Sequence, residues 1–192
     1  MKIANLFEVP IMESYLNIDN EKLINKCYQI KDEQPSAHLS NSGGYQSPNL
    51  NLQDTDFKFL FDEILRHCDI INRRRTFFNK TFKVDNCWIN INKYKDYNLE
   101  HTHPNCIFSG CYYIKMPENG GSITFTHPSE LIIYNWPDKI KSEFNSTVSG
   151  NWKYEPPAGS LLIFPSWLKH QVTPNLSNED RITLAFNIGA TD

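Results

Sequence analysis

Arg181-Ile182-Thr183-Leu184-Ala185-Phe186-Asn187-Ile188 alternates along its length. Ile182, Leu184, Phe186 and Ile188 are large and apolar, while Arg181, Thr183 and Asn187 between them are polar. Successive side chains of an extended strand point to opposite faces, so one face of this segment packs and the other carries Arg181 and Thr183. The same period of two recurs in Cys87-Trp88-Ile89-Asn90-Ile91-Asn92, from Ile107 to Ile114, from Ser122 to Thr126, from Ser160 to Phe164 and from His170 to Thr173. Pro, Gly and Asn fall between these stretches, the pattern of an antiparallel sandwich or barrel of short strands.

The first third reads differently. Phe57, Leu60, Phe61, Ile64, Cys68 and Ile71 recur at steps of three and four, which predicts a helix from about Thr55 to Phe77. A shorter helix is expected from Asp19 or Asn20, as cap, to about Lys31. Ile3 to Pro10 is expected as an edge strand, and Ser40 to Ser47 as a loop by composition. The expected class is mainly β with flanking helices (α+β), the helices lying on the outer face of one sheet. A single domain is expected over residues 1–192, with a strand and supporting helices in 1–80 and the β core in 81–192.

Composition narrows the functional classes. The 192 residues are 40% hydrophobic, 13% aromatic and 21% charged, with a formal charge of −3. That aromatic content argues for a packed core, and the slight acidity argues against a nucleic-acid partner. No apolar run has the length of a membrane span. Met1 to Pro10 lacks the basic start and apolar core of a signal peptide. Five cysteines, an odd number without CxxC spacing, fit free thiols in a reducing compartment, so a cytoplasmic protein is expected.

Six histidines are present, and His101 and His103 stand two apart. In an extended segment both imidazoles reach one side, where they can share an ion. His170 follows on another expected strand, and Arg181 comes eleven residues later with Thr183 beyond it. Singly, each of these residues has an ordinary structural use; their order and spacing as a set is the signal.

That set resembles the iron(II)/2-oxoglutarate-dependent dioxygenases, the broad group that includes the prolyl hydroxylases. The matching stretches are His101-Thr102-His103, Tyr112-Tyr113-Ile114, Gly159 to Pro165, His170-Gln171-Val172 and Arg181-Ile182-Thr183. Ser40 to Ser47, His101 to Tyr113 and Phe164 to Asn187 further resemble a small branch of such oxygenases, also found in phage and marine microbial genomes. The resemblance implies a double-stranded β-helix, or jelly-roll, with iron(II) at its mouth. It also implies 2-oxoglutarate as cosubstrate, O₂ as oxidant, and hydroxylation of a substrate as 2-oxoglutarate is decarboxylated to succinate. His101 and His170 are the implied iron ligands. Arg181 is the implied partner of the far carboxylate of 2-oxoglutarate, a role its planar fork suits better than an ammonium does. Thr183 adds a hydroxyl there. Tyr113 matches a tyrosine that touches this carboxylate in prolyl hydroxylases, or else is a core aromatic. Asn92 and Tyr94, on the preceding strand, are candidates to touch the cosubstrate.

One position departs from the pattern. The family motif is HxD, and His103 stands where the carboxylate would be. His103 is read as the third ligand; alternatively, water or another group completes the site. Free imidazoles titrate at about 6.5, so the three-histidine site is expected to lose metal on acidification earlier than a His103→Asp variant. Two further readings stay open: a cupin-like metal-binding β-barrel with different chemistry, and a non-catalytic module that keeps the fold. A cupin would usually supply a Glu soon after HxH, and residues 104–110 contain none. Trp88 is expected in packing, and Trp167 either at the mouth or buried. His67 is read as surface or packing, and His127 as a lesser candidate for substrate contact. The loop from about Ser129 to Ser149 and the segment Ser40 to Ser47 are expected to shape the pocket. The substrate is a small molecule or a peptidyl group, and a homodimer is compatible with the sequence.

Overall fold

The computed structural model describes residues 8–37, 39–75, 80–129 and 149–191. In chain order the elements are β1 (Met12–Tyr15), α1 (Asn20–Glu33), β2 (Asn41–Ser42), β3 (Tyr45–Gln46), α2 (Thr55–Arg75), β4 (Phe82–Asn92), β5 (Tyr97–His101), β6 (Phe108–Lys115), β7 (Ile123–Thr126), β8 (Asn151–Tyr154), β9 (Ser160–Pro165), β10 (His170–Val172) and β11 (Arg181–Ala190). They form two antiparallel sheets, ordered β1-β9-β6-β11-β4-β3 and β2-β5-β10-β7-β8.

The alternation on β11 sets the architecture. Ile182, Leu184, Phe186 and Ile188 join Cys87, Ile89 and Ile91 of β4 and Phe108, Tyr112 and Ile114 of β6 in one buried cluster. The helices close that cluster from outside. α1 contributes Leu23, Cys27 and Ile30, and α2 the stripe from Phe57 to Ile71. Each fully buried Leu, Ile or Phe of such a stripe is worth roughly 1.5–3 kcal/mol. β9 is buried on both faces. Leu161 and Ile163 enter the helix-side cluster, while Leu162 and Phe164 meet Ile123 and Phe125 of the smaller sheet in a second cluster.

Polar contacts fix the helices. Asp54, just before α2, accepts the Asp56 N–H at 2.9 Å, satisfying one of the donors a helix start leaves open. The expected cap on α1 is not made. Asp19 holds the cap position without a side-chain bond, and Asn20 instead accepts the Tyr112 hydroxyl at 2.7 Å. His67 is a packing residue, buried between Ser14 Oγ at 3.0 Å and the Glu63 carbonyl at 2.7 Å.

Two segments differ from expectation. The edge strand is Met12–Tyr15, beyond Pro10, where every residue has an N–H to pair with β9. Residues 1–7 of the expected strand lie outside the described ones. α2 matches expectation as far as it is described, to Arg75, and its expected end near Phe77 lies outside the described residues. Ser40 to Ser47 is no plain loop. β2 pairs with β5 in the small sheet, and β3 pairs with β4 in the large one. Gly43 and Gly44, at φ +71° and +66°, turn the chain between them. His38 and residues 130–148, within the expected pocket loop, lie outside the described residues. No helix among those described is long and apolar enough to cross a membrane.

Candidate metal centre and its pocket

His101 ends β5 and His170 begins β10, and the two are direct register partners across the small sheet. His103 lies two residues past the end of β5, where its N–H donates to the Ser166 carbonyl at 2.9 Å. One nitrogen from each imidazole falls within 4.8 Å of the others. His103 Nε2 and His170 Nε2 are 3.4 Å apart. Three nitrogens on one face of an ion at ordinary bond lengths stand about 3 Å from one another, so a small closure brings this set onto one metal.

The backbone orients two of the rings. His101 Nδ1 lies 2.6 Å from the Leu99 carbonyl and His170 Nδ1 2.8 Å from the Leu168 carbonyl. A carbonyl only accepts, so each Nδ1 carries the proton and each Nε2 presents a lone pair. Phe125 and Phe164 pack on the His170 ring, with centroids at 5.9 and 4.7 Å. Burial, with neighbouring imidazoles adding to it, pushes His103 down to about 4 and His170 down to about 3. Burial also lowers His101, partly offset by the Leu99 carbonyl. His103 and His170 are therefore neutral and ready to ligate well below the ordinary imidazole range.

A cavity with about 520 Å³ free of protein atoms, partly open to solvent, adjoins the three rings. Its floor is the polar face of the large sheet, laid out in rungs by the strand register. Asn92 lies opposite Arg181, Asn90 and Tyr113 flank Thr183, and Trp88 and Cys111 flank Ala185. Ile123, Val172 and Phe164 add apolar wall, Phe164 beside His170, and no Asp or Glu lines the cavity among the described residues.

Arg181 is 1% exposed. Its Nη1 donates to the carbonyls of Gly120 at 2.6 Å and Thr173 at 3.0 Å, while Nη2 is buried without a partner. Burial lowers its pKa, yet a guanidinium stays charged in proteins. A buried cation with an unused donor on a cavity calls for an anion; leaving it unpaired costs several kcal/mol. Asn92 Nδ2 and Asn90 Oδ1 are likewise buried and unpartnered. Burial holds the Tyr113 phenol protonated, well above its usual value, and pushes the Cys111 thiol up to about 12. The donor set fits the groups the sequence implied: three neutral imidazoles for a divalent ion, and a guanidinium, a hydroxyl and a phenol for a carboxylate.

The structure thus brings together His101, His103, His170, Arg181, Thr183, Tyr113 and Asn92. It does not bring Tyr94. The chain leaves β4 at Asn92 and turns, with Lys95 at φ +69° and the Asp96 N–H on the Lys93 carbonyl at 3.0 Å. The strand alternation ends there, and the Tyr94 ring is 52% exposed, with Lys95 over it. Trp88, expected in packing, lines the cavity with its ring 5.8 Å from His103. Trp167 is 54% exposed rather than buried. Ser40, from the segment expected to shape the pocket, lines the cavity, whereas Asn98 was missed. Between His170↔His101 and Val172↔Asn98, two residues of β5 oppose one of β10. This bulge turns Asn98 and His101 toward the same side, although they are three apart.

Comparison with known proteins gives a concordant picture. Residues 86–187, just over half of the chain, match the family model described as "Putative 2OG-Fe(II) oxygenase". A search of curated proteins returns no significant match. Among solved structures, a Pseudomonas putida prolyl-4-hydroxylase is similar at TM-score 0.66 and 15% identity, covering 95% of this chain and 93% of that one. HygX from Streptomyces hygroscopicus, solved with nickel and 2-oxoglutarate bound, gives 0.63 and 11% over 95% and 84%. The viral collagen prolyl hydroxylase of Paramecium Bursaria Chlorella virus-1, in complex with 2-oxoglutarate, gives 0.58 and 12% over 93% and 94%. At these identities the likeness is one of fold, the double-stranded β-helix, with its two facing antiparallel sheets.

Proposed function

This chain belongs to the 2OG-Fe(II) oxygenase family, and from that premise we propose that His101, His103 and His170 hold its iron(II), while Arg181, Thr183, Tyr113 and Asn92 hold its 2-oxoglutarate. The protein is an oxidoreductase. The bound iron(II) and 2-oxoglutarate supply, with O₂, the oxidising power that hydroxylates a substrate as the keto acid is decarboxylated to succinate. The chain's own residues do the rest. Backbone carbonyls fix the Nδ1 protons of two ligands, leaving their Nε2 lone pairs for metal. Burial keeps all three rings unprotonated. Arg181 presents Nη2 to the far carboxylate, and Thr183 and Tyr113, on the neighbouring rung, add neutral donors. Phe125 and Phe164, packed on the His170 ring, keep water from that side of the metal. Trp88, beside His103, is the aromatic face a small-molecule or peptidyl substrate meets. A cytoplasmic location is part of this reading, supported by five unpaired cysteines.

The observation that carries the reading is the unpartnered, fully buried guanidinium nitrogen of Arg181 on the same cavity as the three imidazoles. A cupin-like metal site or a non-catalytic module has no use for it. The test is anaerobic titration of the protein with iron(II) and then 2-oxoglutarate. A weak visible charge-transfer band that saturates at one equivalent of each is expected. Iron bound stoichiometrically with no band at saturating 2-oxoglutarate would overturn the reading.

A further inference from the structure

Arg181 rests in a seat built from backbone. The segment between β6 and β7 and the segment after β10 close around its guanidinium, laced by Ser122 N–H to Thr173 Oγ1 at 2.8 Å and Thr173 N–H to the Ser122 carbonyl at 2.8 Å. From these segments come the two carbonyls, of Gly120 and Thr173, that accept from Nη1. Gly121 lies between them at φ +87°, a conformation that favours glycine. A Cβ at position 121 would stand 2.7 Å from Arg181 Nη1, and 2.7 Å from each of the Thr173 and Pro174 carbonyl oxygens. A side chain there and the guanidinium cannot both keep their places.

We propose that Gly121 is a positioning residue: lacking a Cβ, it lets Arg181 sit back against the two carbonyls, and this setback fixes the length of dicarboxylate the cavity accepts. The inference rests on the assignment of Arg181 to the far carboxylate. A keto diacid anchored at the metal centre by one end and at Arg181 by the other is measured by the distance between the two anchors. The back of the seat is closed by carbonyls, whereas Nη2, on the cavity, has no partner. A methyl at 121 therefore drives the guanidinium into the cavity and shortens the span.

The test uses the full chain loaded with manganese(II) and calorimetric titration with three keto diacids: 2-oxoglutarate, oxaloacetate (one carbon shorter) and 2-oxoadipate (one carbon longer). In Gly121→Ala, 2-oxoglutarate is expected to bind about tenfold more weakly or worse, the loss of one hydrogen bond to a charged group. Oxaloacetate loses less, and manganese affinity is unchanged. Arg181→Lys draws the charge back without touching the turn, so preference moves the opposite way, toward 2-oxoadipate; this holds the proposal open to refutation even if Gly121→Ala does not fold. Equal losses for all three acids in Gly121→Ala, or no shift in Arg181→Lys, would each overturn the proposal. Unchanged 2-oxoglutarate binding in Arg181→Ala would instead place the fault with the assignment of Arg181 itself.

Discussion

Metal-free protein should lose stability steeply on mild acidification, and the loss should trace to the histidine cluster. His103 and His170 are held down to about 4 and about 3 in the fold, chiefly by burial, against roughly 6.5 in the unfolded chain. The folded-state values lie below the unfolded ones. Between them the unfolded chain takes up protons that the fold refuses. Stability is therefore full above the unfolded value and falls as pH drops through it toward the folded values. Between about pH 7 and pH 5 each ring should cost about 2 kcal/mol, so the pair costs about 4 kcal/mol. That is a large share of a typical domain's 5–15 kcal/mol. The lowered pKa of His101 acts in the same direction. The assay is urea unfolding of chelator-treated protein, followed by tryptophan fluorescence at both pH values. Other groups titrate too, so the informative comparison is with His103→Asn and His170→Asn, each of which should recover about half of the pair's share. Parallel pH slopes in wild type and both variants would refute the reasoning.

His101→Ala and His170→Ala should each abolish stoichiometric iron(II) binding while leaving far-UV circular dichroism unchanged; full metal occupancy in either would remove it from the ligand set. Arg181→Ala should weaken 2-oxoglutarate far more than metal, by about 3–5 kcal/mol, the cost of leaving one member of a buried pair alone. Calorimetry on the metal-loaded protein measures it. His103→Asp should retain iron, since two histidines and a carboxylate form the facial set that iron(II) oxygenases use; metal analysis after desalting reads the result. Gly110→Ala should destabilise by about 1–3 kcal/mol or more as overpacking. A Cβ there would lie 2.2 Å from Phe186 Cζ and 2.4 Å from the Leu162 carbonyl oxygen, and thermal unfolding tests it.

Elements with a strict local period were legible from residues alone. The two faces of β11 could be assigned from Arg181 to Ile188, and the helical stripe from Phe57 to Ile71 could be read by eye. The histidines and Arg181 were legible as a set because their motif survives one substitution. What escaped was non-local. Tyr94 was carried along the strand rhythm because nothing before the structure marks Lys95 as the residue that turns the chain. Asn98 was lost to a bulge, since a period of two puts it on the face opposite His101. Trp88 looks like any strand tryptophan until the register sets it beside His103. The low pKa values of the imidazoles come from enclosure by two sheets, which no single segment contains. The Gly120-Gly121 pair was visible, but its partner lies sixty residues away.

The corner at Gly43-Gly44 bears on how the molecule breathes. Its flanking strands pair into opposite sheets, Asn41 with Asn98 and Tyr45 with Ile91. The glycines themselves abut Asp96 and Asn92, so the corner is seated on the turn that closes the cavity's Arg181 end. Parting the sheets at this end means stripping one of these short pairings first, so opening is tied to local unfolding of residues 40–47 rather than to hinge motion. Amide hydrogens on both sides of the corner, Leu99 N–H on the Ser40 carbonyl and Ser47 N–H on the Ile89 carbonyl, belong to different sheets and yet should exchange with solvent as one cooperative unit.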